Sequence, residues 1–356
     1  MNWGEKDSIA KSLGLLALLG IFSCIGCGSQ PPTIAEATKS IKPKPVEPTH
    51  IDRQFPQVSG SRLMRHVEAL SYERYRNVDR DRGREYILQS LEEAGYSPQL
   101  QSFDGGINIV AERPGTDAAA GTILLGAHYD TVPESPGADD NATGVAAVLE
   151  VARLLANRET PRTLKLVFFD SEEVGLLGSL AFASTADAET LHGAIVLDML
   201  GFACRTPGCQ QYPQGLPAVA LPDTGDFLAV VGNAEDPQLL NAFKTAQNSE
   251  LPPVVTLPIP LRGLLTPDVL RSDHAPFWFQ GISAVMVTDT ANFRNPHYHQ
   301  PTDLPETLDR DFFVGSVQIV LNATVVLLNS ELQTPNKKKS PGRGEPRVWE
   351  KFNDDI

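Results

Sequence analysis

The chain has 356 residues, 41% of them hydrophobic, and carries 44 Asp and Glu against 30 Lys and Arg, for a formal net charge of −14. That length and apolar content suit one large α/β domain with extensions at its ends. The negative balance, with no basic run and no basic–aromatic interleaving, argues against nucleic acid as a partner. Part of the acidic excess fits a site that gathers carboxylates around divalent cations, which then neutralise them.

In chain order, Lys6 and Lys11 precede an apolar stretch from Ser12 to Gly26. This is the length of a signal-peptide core and short of the roughly twenty residues that a membrane-spanning helix needs. Residues 1–27 are therefore expected to direct export. The small residue before Cys27, in Cys24-Ile25-Gly26-Cys27, resembles a bacterial lipoprotein cleavage site, so lipid on Cys27 would anchor the protein to a membrane; full secretion is the alternative. Residues 28–58 are rich in Pro, Lys and Thr and read as a flexible linker, and residues 334–356, with Lys337-Lys338-Lys339, read as a disordered polar tail. The domain between them, 59–333, is expected to be a monomeric catalytic unit. No internal repeat is seen.

Within the domain, helices are predicted from Arg62 to Ala69, Arg82 to Ala94 and Gly144 to Ala156, the last with Val145, Val148, Leu149, Val151 and Leu155 at helical spacing. Short β-rich runs without strict alternation occur at Thr122 to Ala127, Leu164 to Phe169, Ala194 to Leu197 and Ala284 to Thr288. Strands buried on both faces read this way. Strand and helix in alternation imply a mainly parallel central sheet with helices on both faces, a three-layer α/β fold.

Polar residues fall at the ends of those runs: His128 and Asp130 after the first, Asp170, Glu172 and Glu173 after the second, Asp198 after the third, and His297 and His299 beyond the fourth. Open α/β sheets bind ligands at the carboxyl ends of their strands, so one rim collects all of these groups. Each has an ordinary explanation alone: a His–Asp hydrogen bond, a turn at Asp139-Asp140-Asn141, a solvated helix start at Glu172-Glu173. Together they would repel one another unless a cation were present. Imidazole nitrogen with carboxylate oxygen and no thiolate suits zinc best, with manganese or cobalt as alternatives and calcium a poorer match to histidine, and two ions about 3.5–4 Å apart need a shared carboxylate with terminal ligands on each side.

His128-Tyr129-Asp130, Gly137-Ala138-Asp139-Asp140-Asn141-Ala142-Thr143-Gly144, Glu172-Glu173-Val174-Gly175-Leu176-Leu177-Gly178-Ser179, Leu197-Asp198-Met199 and Tyr298-His299 resemble, in composition and order, the secreted double-zinc aminopeptidases of peptidase clan MH. Ser272-Asp273-His274-Ala275-Pro276-Phe277 is similar to a further segment of that family beside the site. The resemblance covers about Arg62 to Leu328. It implies two zinc ions per chain, bridged by Asp140, with His128 and Asp198 on one and Glu173 and His299 on the other. Glu172 would be the general base, Asp130 the carboxylate that orients His128, and Tyr298 a donor to the developing oxyanion. Peptides would be the substrates and an N-terminal residue the group removed. The resemblance also implies a cis peptide between Asp140 and Asn141.

His297 is expected to be a rim histidine, not a ligand; Asp273 and His274 to support the site; Asp139 and Asp170 to serve as scaffold; and Arg271 is a candidate contact for a substrate carboxylate. Phe277, Trp278 and Ile282 are candidates for pocket lining, with core packing as the expected role. Cys204 and Cys209, close together in an exported chain, are expected to form a disulfide. Carboxypeptidase or dipeptidase specificity stays open within the peptidase reading, and two rival readings remain: a glutaminyl cyclase-like acyltransferase with one zinc, which shares the Phe-Phe-Asp-x-Glu-Glu strand end, and a non-catalytic binding ectodomain. No Gly-x-Ser-x-Gly elbow is present to suggest a serine hydrolase.

Overall fold

The computed structural model describes residues 55–216 and 221–330. The expected signal with Cys27, the linker up to residue 54 and the polar tail lie outside the described residues. Residues 55–58, counted with the linker on composition, pack against the domain: Phe55 and Val58 touch the core, and Gln318 receives the Val58 N–H and donates to Pro56 O.

The elements in order are helices α1 (Gly60–Leu70) and α2 (Asn77–Glu93), strands β1 (Gln99–Phe103), β2 (Gly106–Arg113) and β3 (Thr122–His128), helix α3 (Gly144–Leu155), strand β4 (Thr163–Phe169), helix α4 (Leu177–Thr185) and strands β5 (Leu191–Leu197) and β6 (Leu228–Asn233). Helix α5 (Gln238–Ala246), strand β7 (Val254–Ile259), helix α6 (Ala275–Phe279), strand β8 (Ala284–Thr288) and helix α7 (Arg310–Asn329) complete them. The eight strands form one sheet in the order β1-β2-β4-β3-β5-β8-β6-β7. Its centre, β4-β3-β5-β8, is parallel throughout, and β6-β7 is a parallel pair joined to β8 antiparallel. The β1-β2 hairpin closes the other edge antiparallel. The four strands predicted from the sequence are that parallel centre.

Their lack of alternation has the expected cause. Ile123, Leu125 and Ala127 of β3 face a core shared with α1, α3 and α7, while Leu124 faces a second core with Phe169, Phe182, Phe277 and Trp278 against α4 and α6. Both faces are covered, so both parities are apolar. Phe277, Trp278 and Ile282 belong to this second core, with Trp278 Nε1 donating to Ala284 O, and the pocket-lining role falls to other residues.

Helix α7 was not predicted. Its residues from Phe312 to Leu328 are buried almost without interruption, which erases the one-sided periodicity that marks a surface helix. It is long and apolar enough to cross a membrane by composition, yet 83% of that apolar window is buried inside the domain, as in a core helix. Asp309 caps its start by accepting from Phe312 N. Helix α2 begins at Asn77, five residues ahead of the sequence expectation, and its added first turn buries Arg80, which pairs with Asp170.

Candidate active site

The parallel register brings the strand ends level: His128 pairs with Phe169, and Leu197 with Val287. The chain then turns sharply at each end, with Ser171 (φ 62°) and Met199 (φ 58°) in the left-handed region beside Glu172 and Asp198. His299 itself has φ 57°. Non-glycine residues adopt this region rarely and collect at functional sites.

Asp140 lies in the helical turn Ala138–Thr143, whose backbone breaks at Asp140 and Asn141, and the Asp140–Asn141 peptide is cis, as the resemblance implied. The neighbours hold this segment in place. Asn141 donates to Leu197 O and accepts from Gly144 N and Met199 N, stapling the turn to the end of β5. Gly137, with φ 62°, must be glycine, since a Cβ there would collide with Asp140 O and the Thr131 side chain. Fully buried Arg74 donates to Tyr129 O, Pro136 O and Gly137 O, tying the approach loop to the β3 end.

Four of the expected side chains gather about the fifth, Asp140, and its two oxygens. His128 Nε2 lies 3.3 Å from Asp140 Oδ1 and 3.8 Å from Asp198 Oδ1. His299 Nε2 lies 3.3 Å from Asp140 Oδ2 and 3.1 Å from Glu173 Oε2. One carboxylate thus faces two imidazole-and-acid sets, one per oxygen. Two groups bring donor atoms within 4.8 Å of one another, His128 with Asp140 and Glu173, and His128 with Glu172 and Asp198. Asp130 sits behind them, 3.5 Å from His128 Nδ1, and accepts from the backbone N–H of Glu172 (3.0 Å) and Glu173 (3.1 Å). It therefore orients the Glu172-Glu173 corner as well as the imidazole.

These residues suit a bound cation. Glu173 Oε1 is buried without a hydrogen bond among the described residues, and His299 Nε2 meets only the carboxylates of Asp140 and Glu173. Burial together with the Asp140 carboxylate pushes Glu173 up to about 7. Burial and the charges of Glu173, Asp273 and Asp198 hold Glu172 well above the usual carboxylate range, against the pull of His128. Burial opposes charge on His299, but Asp140 and Glu173 raise it to about 10; His128 is likewise raised, by Glu172, Asp130, Asp140 and Asp198. A divalent ion would neutralise these acids and take the imidazoles in their neutral form. Nitrogen and carboxylate oxygen without sulfur is a donor set for zinc.

The supporting residues are placed as expected. Asp170 accepts from Ile107 N (2.9 Å) and Tyr129 Oη (2.8 Å) and pairs with Arg80 Nε (2.9 Å). Asp139 accepts from Gly201 N, Thr143 Oγ1 and Asn295 Nδ2. His297 turns away, its Nδ1 2.9 Å from Thr302 Oγ1 and its ring edge-on to Phe202. Asp273 and His274 are fully buried; burial pushes Asp273 up to about 7 and lowers His274 to about 4, and the His274 ring stands edge-on to Trp278 at 4.6 Å. Cys204 and Cys209 are disulfide-bonded, and Cys204 bridges in β fashion to Gly225.

Sequence reading missed Asp303 and Asp289. The two Asp303 oxygens accept from Asp139 N (2.9 Å) and Asp140 N (3.0 Å), holding the bridging position from behind. Only its closeness in sequence to His299 could have drawn attention to it. Asp289 accepts from Phe202 N and Ala291 N, and the strand-end rule that picked out Asp198 would have found it directly after β8.

Beside the ligand cluster the cleft opens to a volume of about 800 Å³ including its mouth. Its lining includes the apolar Ala229, Val231, Leu257, Val269 and Met286 together with exposed Arg271 and half-buried Tyr298. The Tyr298 ring stacks on His299, centroids 3.7 Å apart.

An open α/β sheet whose strand ends converge acids and imidazoles on a cleft is a scaffold suited to metal-assisted chemistry. Residues 108–324 match peptidase family M28, and the chain belongs to that family. It is 36% identical over 274 residues to the uncharacterized protein YfbL of Escherichia coli K12, covering 72% of this chain and 82% of that one. It is 33% identical over 225 residues to the probable lipoprotein aminopeptidase LpqL of Mycobacterium tuberculosis, covering 59% of this chain but only 43% of the relative. In fold it is similar to an aminopeptidase from Aneurinibacillus sp. strain AM-1, with a TM-score of 0.61 at 16% identity over 79% of this chain and 97% of the other.

Proposed function

We propose that this M28 peptidase is an exported zinc aminopeptidase with two ions per chain. Asp140 would bridge them, His128 and Asp198 would complete one site, and Glu173 and His299 the other. The observation that carries this reading is the split of the Asp140 carboxylate, each oxygen 3.3 Å from a different imidazole that also has an acid partner. When bound, the ions would supply Lewis-acid polarisation of a carbonyl and lower the pKa of water.

The chain's own residues divide the remaining work. Glu172, beside both groups and anchored through its backbone N–H to Asp130, accepts the proton of the attacking water and delivers it to the leaving amine. Tyr298, stacked on His299, donates its hydroxyl to the oxygen that gains charge. The apolar lining of Val231, Leu257, Val269 and Met286 receives the side chain of the N-terminal residue and excludes water from it. Export through residues 1–27, with lipid on Cys27, belongs to the same reading.

The test is hydrolysis by zinc-loaded protein of aminoacyl 4-nitroanilides and their N-acetylated forms, alongside a glutaminyl peptide. The expected result is cleavage of the free-amine substrates, leucyl above glutamyl or lysyl, with the acetylated forms resistant. Equal cleavage of acetylated substrates would rule out an aminopeptidase; release of pyroglutamate without hydrolysis would make the protein a cyclase.

A further inference from the structure

We propose that Arg271 is a carboxylate anchor and that the cleft is built for very short peptides, dipeptides first, whose C-terminal carboxylate lies one residue beyond the scissile bond. This deepens the aminopeptidase reading above and rests on it.

Arg271 is the only Lys or Arg among the residues that line the cleft. Its Nη2 donates to Tyr298 Oη at 3.0 Å and its Nη1 to Asn292 Oδ1 at 3.4 Å. Its guanidinium carbon lies 6.0 Å from the centre of the Tyr298 ring. Among the described residues no carboxylate pairs with it, in contrast to Arg80, Arg84, Arg153 and Arg205, each of which holds an acid. Two of its five N–H groups are thus used on neutral oxygens that fix the fork in place, and the remaining three have no hydrogen-bond acceptor among the described residues. A positioned, unpaired guanidinium at the mouth of an acid-lined cleft is a receptor for an anion, and a planar carboxylate matches it best.

Length follows from Tyr298. Its oxygen accepts from Arg271, so its own hydrogen is left to donate to a substrate carbonyl oxygen, and one hydroxyl separates the guanidinium from the reacting group. In a dipeptide the terminal carboxylate carbon is three bonds beyond the scissile carbonyl carbon, at most about 4.3 Å by summed bond lengths. That carboxylate reaches the fork. Each further residue moves it away by up to about 3.8 Å. The cleft's other outlying charge, Asp268, would repel the same carboxylate, so the acceptance of a free C-terminus depends on Arg271.

The experiment compares Leu-Gly with Leu-Gly amide in zinc-loaded wild-type, Arg271→Gln and Arg271→Lys proteins, reading kcat and KM separately. It is repeated as calorimetric binding to Glu172→Gln protein with and without the Arg271 change, so that binding is read apart from turnover. A single charge-assisted pair corresponds to roughly a 10- to 100-fold preference. Wild type should favour the free dipeptide by that factor, chiefly in KM; Arg271→Gln should bring the ratio within about twofold of unity, and Arg271→Lys should restore part of it. A wild-type ratio near unity, or a ratio retained in Arg271→Gln, overturns the proposal. So does a loss confined to kcat and equal for both peptides, which would make Arg271 a positioning residue for Tyr298 alone. Leucyl 4-nitroanilide, which has no carboxylate, tests the peptidase reading separately, and the calorimetric ratio decides on Arg271 even if that substrate is not cleaved.

Discussion

Asp139 and Asp140 are adjacent and both buried, yet they belong to regions of opposite character. Behind the rim, Asp139, Asp289 and Asp303 receive hydrogen bonds from backbone amides and from Thr143 and Asn295, and the Arg294 guanidinium lies near Asp289 and Asp139. On the rim, Asp140, Glu172, Glu173 and Asp198 face one another and two imidazoles, and Glu173 Oε1 has no hydrogen bond among the described residues. The support around Asp139, Asp289 and Asp303 is made by protein groups, whereas deeper in, the Asp273 and His274 side chains have no hydrogen bond among the described residues. The rim gathers acids and imidazoles in an arrangement that suits a cation. Buried charge is tolerated where its hydrogen bonds are made, and where they are not it marks a place for something else.

The sharpest way to break this contrast lies within the rim, where Glu172 and Glu173 share chemistry but not role. Glu172→Gln should keep zinc and fold while kcat falls by about 10²–10⁴, the scale of general-base catalysis. Glu173→Ala should lose metal from one site. Metal analysis beside steady-state kinetics distinguishes them; if Glu172→Gln loses zinc and Glu173→Ala keeps it, the two assignments are reversed.

A smaller effect separates rim from support through stability. Asp303→Ala strands the N–H groups of Asp139 and Asp140, and at about 1–3 kcal/mol for each buried unpaired group should cost roughly 2–6 kcal/mol with or without zinc. Asp140→Asn should instead abolish the rise in Tm that zinc produces, since a ligand that binds only the native state stabilises in proportion to its occupancy. Thermal melts of both variants in chelator and in zinc check this. A zinc-dependent Tm that survives Asp140→Asn would remove Asp140 from the metal site.

The smallest effect is a baseline from a buried titratable group outside both regions. His66, hydrogen-bonded to Tyr86 Oη at 2.8 Å, is lowered by burial to about 4. Its folded pKa lies below the unfolded value, so the unfolded chain takes up the proton first. Stability is full above about pH 6.5 and declines as pH falls toward 4, by about 1–2 kcal/mol at pH 5. Urea unfolding at pH 7 and pH 5 should show a larger drop for wild type than for His66→Gln. Equal drops would mean that the imidazole is not held neutral.

Much of this site was legible in the chain because its pieces are local. His128-Tyr129-Asp130 and Glu172-Glu173 each sit at the end of a strand that betrays itself by composition, and a sheet with alternating helices delivers strand ends to one edge whatever its detailed order. The β1-β2 hairpin, β6 and β7 were not legible. β1, β2 and β7 lie toward the sheet edges, where half-exposed residues such as Leu100 and Val254 blur the pattern, whereas β6 is buried along most of its length and reads like the strands that were found. Helix α7 was hidden for the opposite reason, burial on every side.

The sequence by itself determined the parallel centre of the sheet, the residues offered at its rim and the kind of ion they suit, because period, composition and ligand chemistry are properties of short segments. Only the tertiary structure decided that each oxygen of Asp140 faces its own imidazole, that Asp303 supports Asp140 from 163 residues away, and that Arg271 meets Tyr298 without an acid of its own. These are contacts between distant segments. Distances of about 3 Å between them are set by the packing of two cores against one sheet, and no local pattern in the chain encodes that packing.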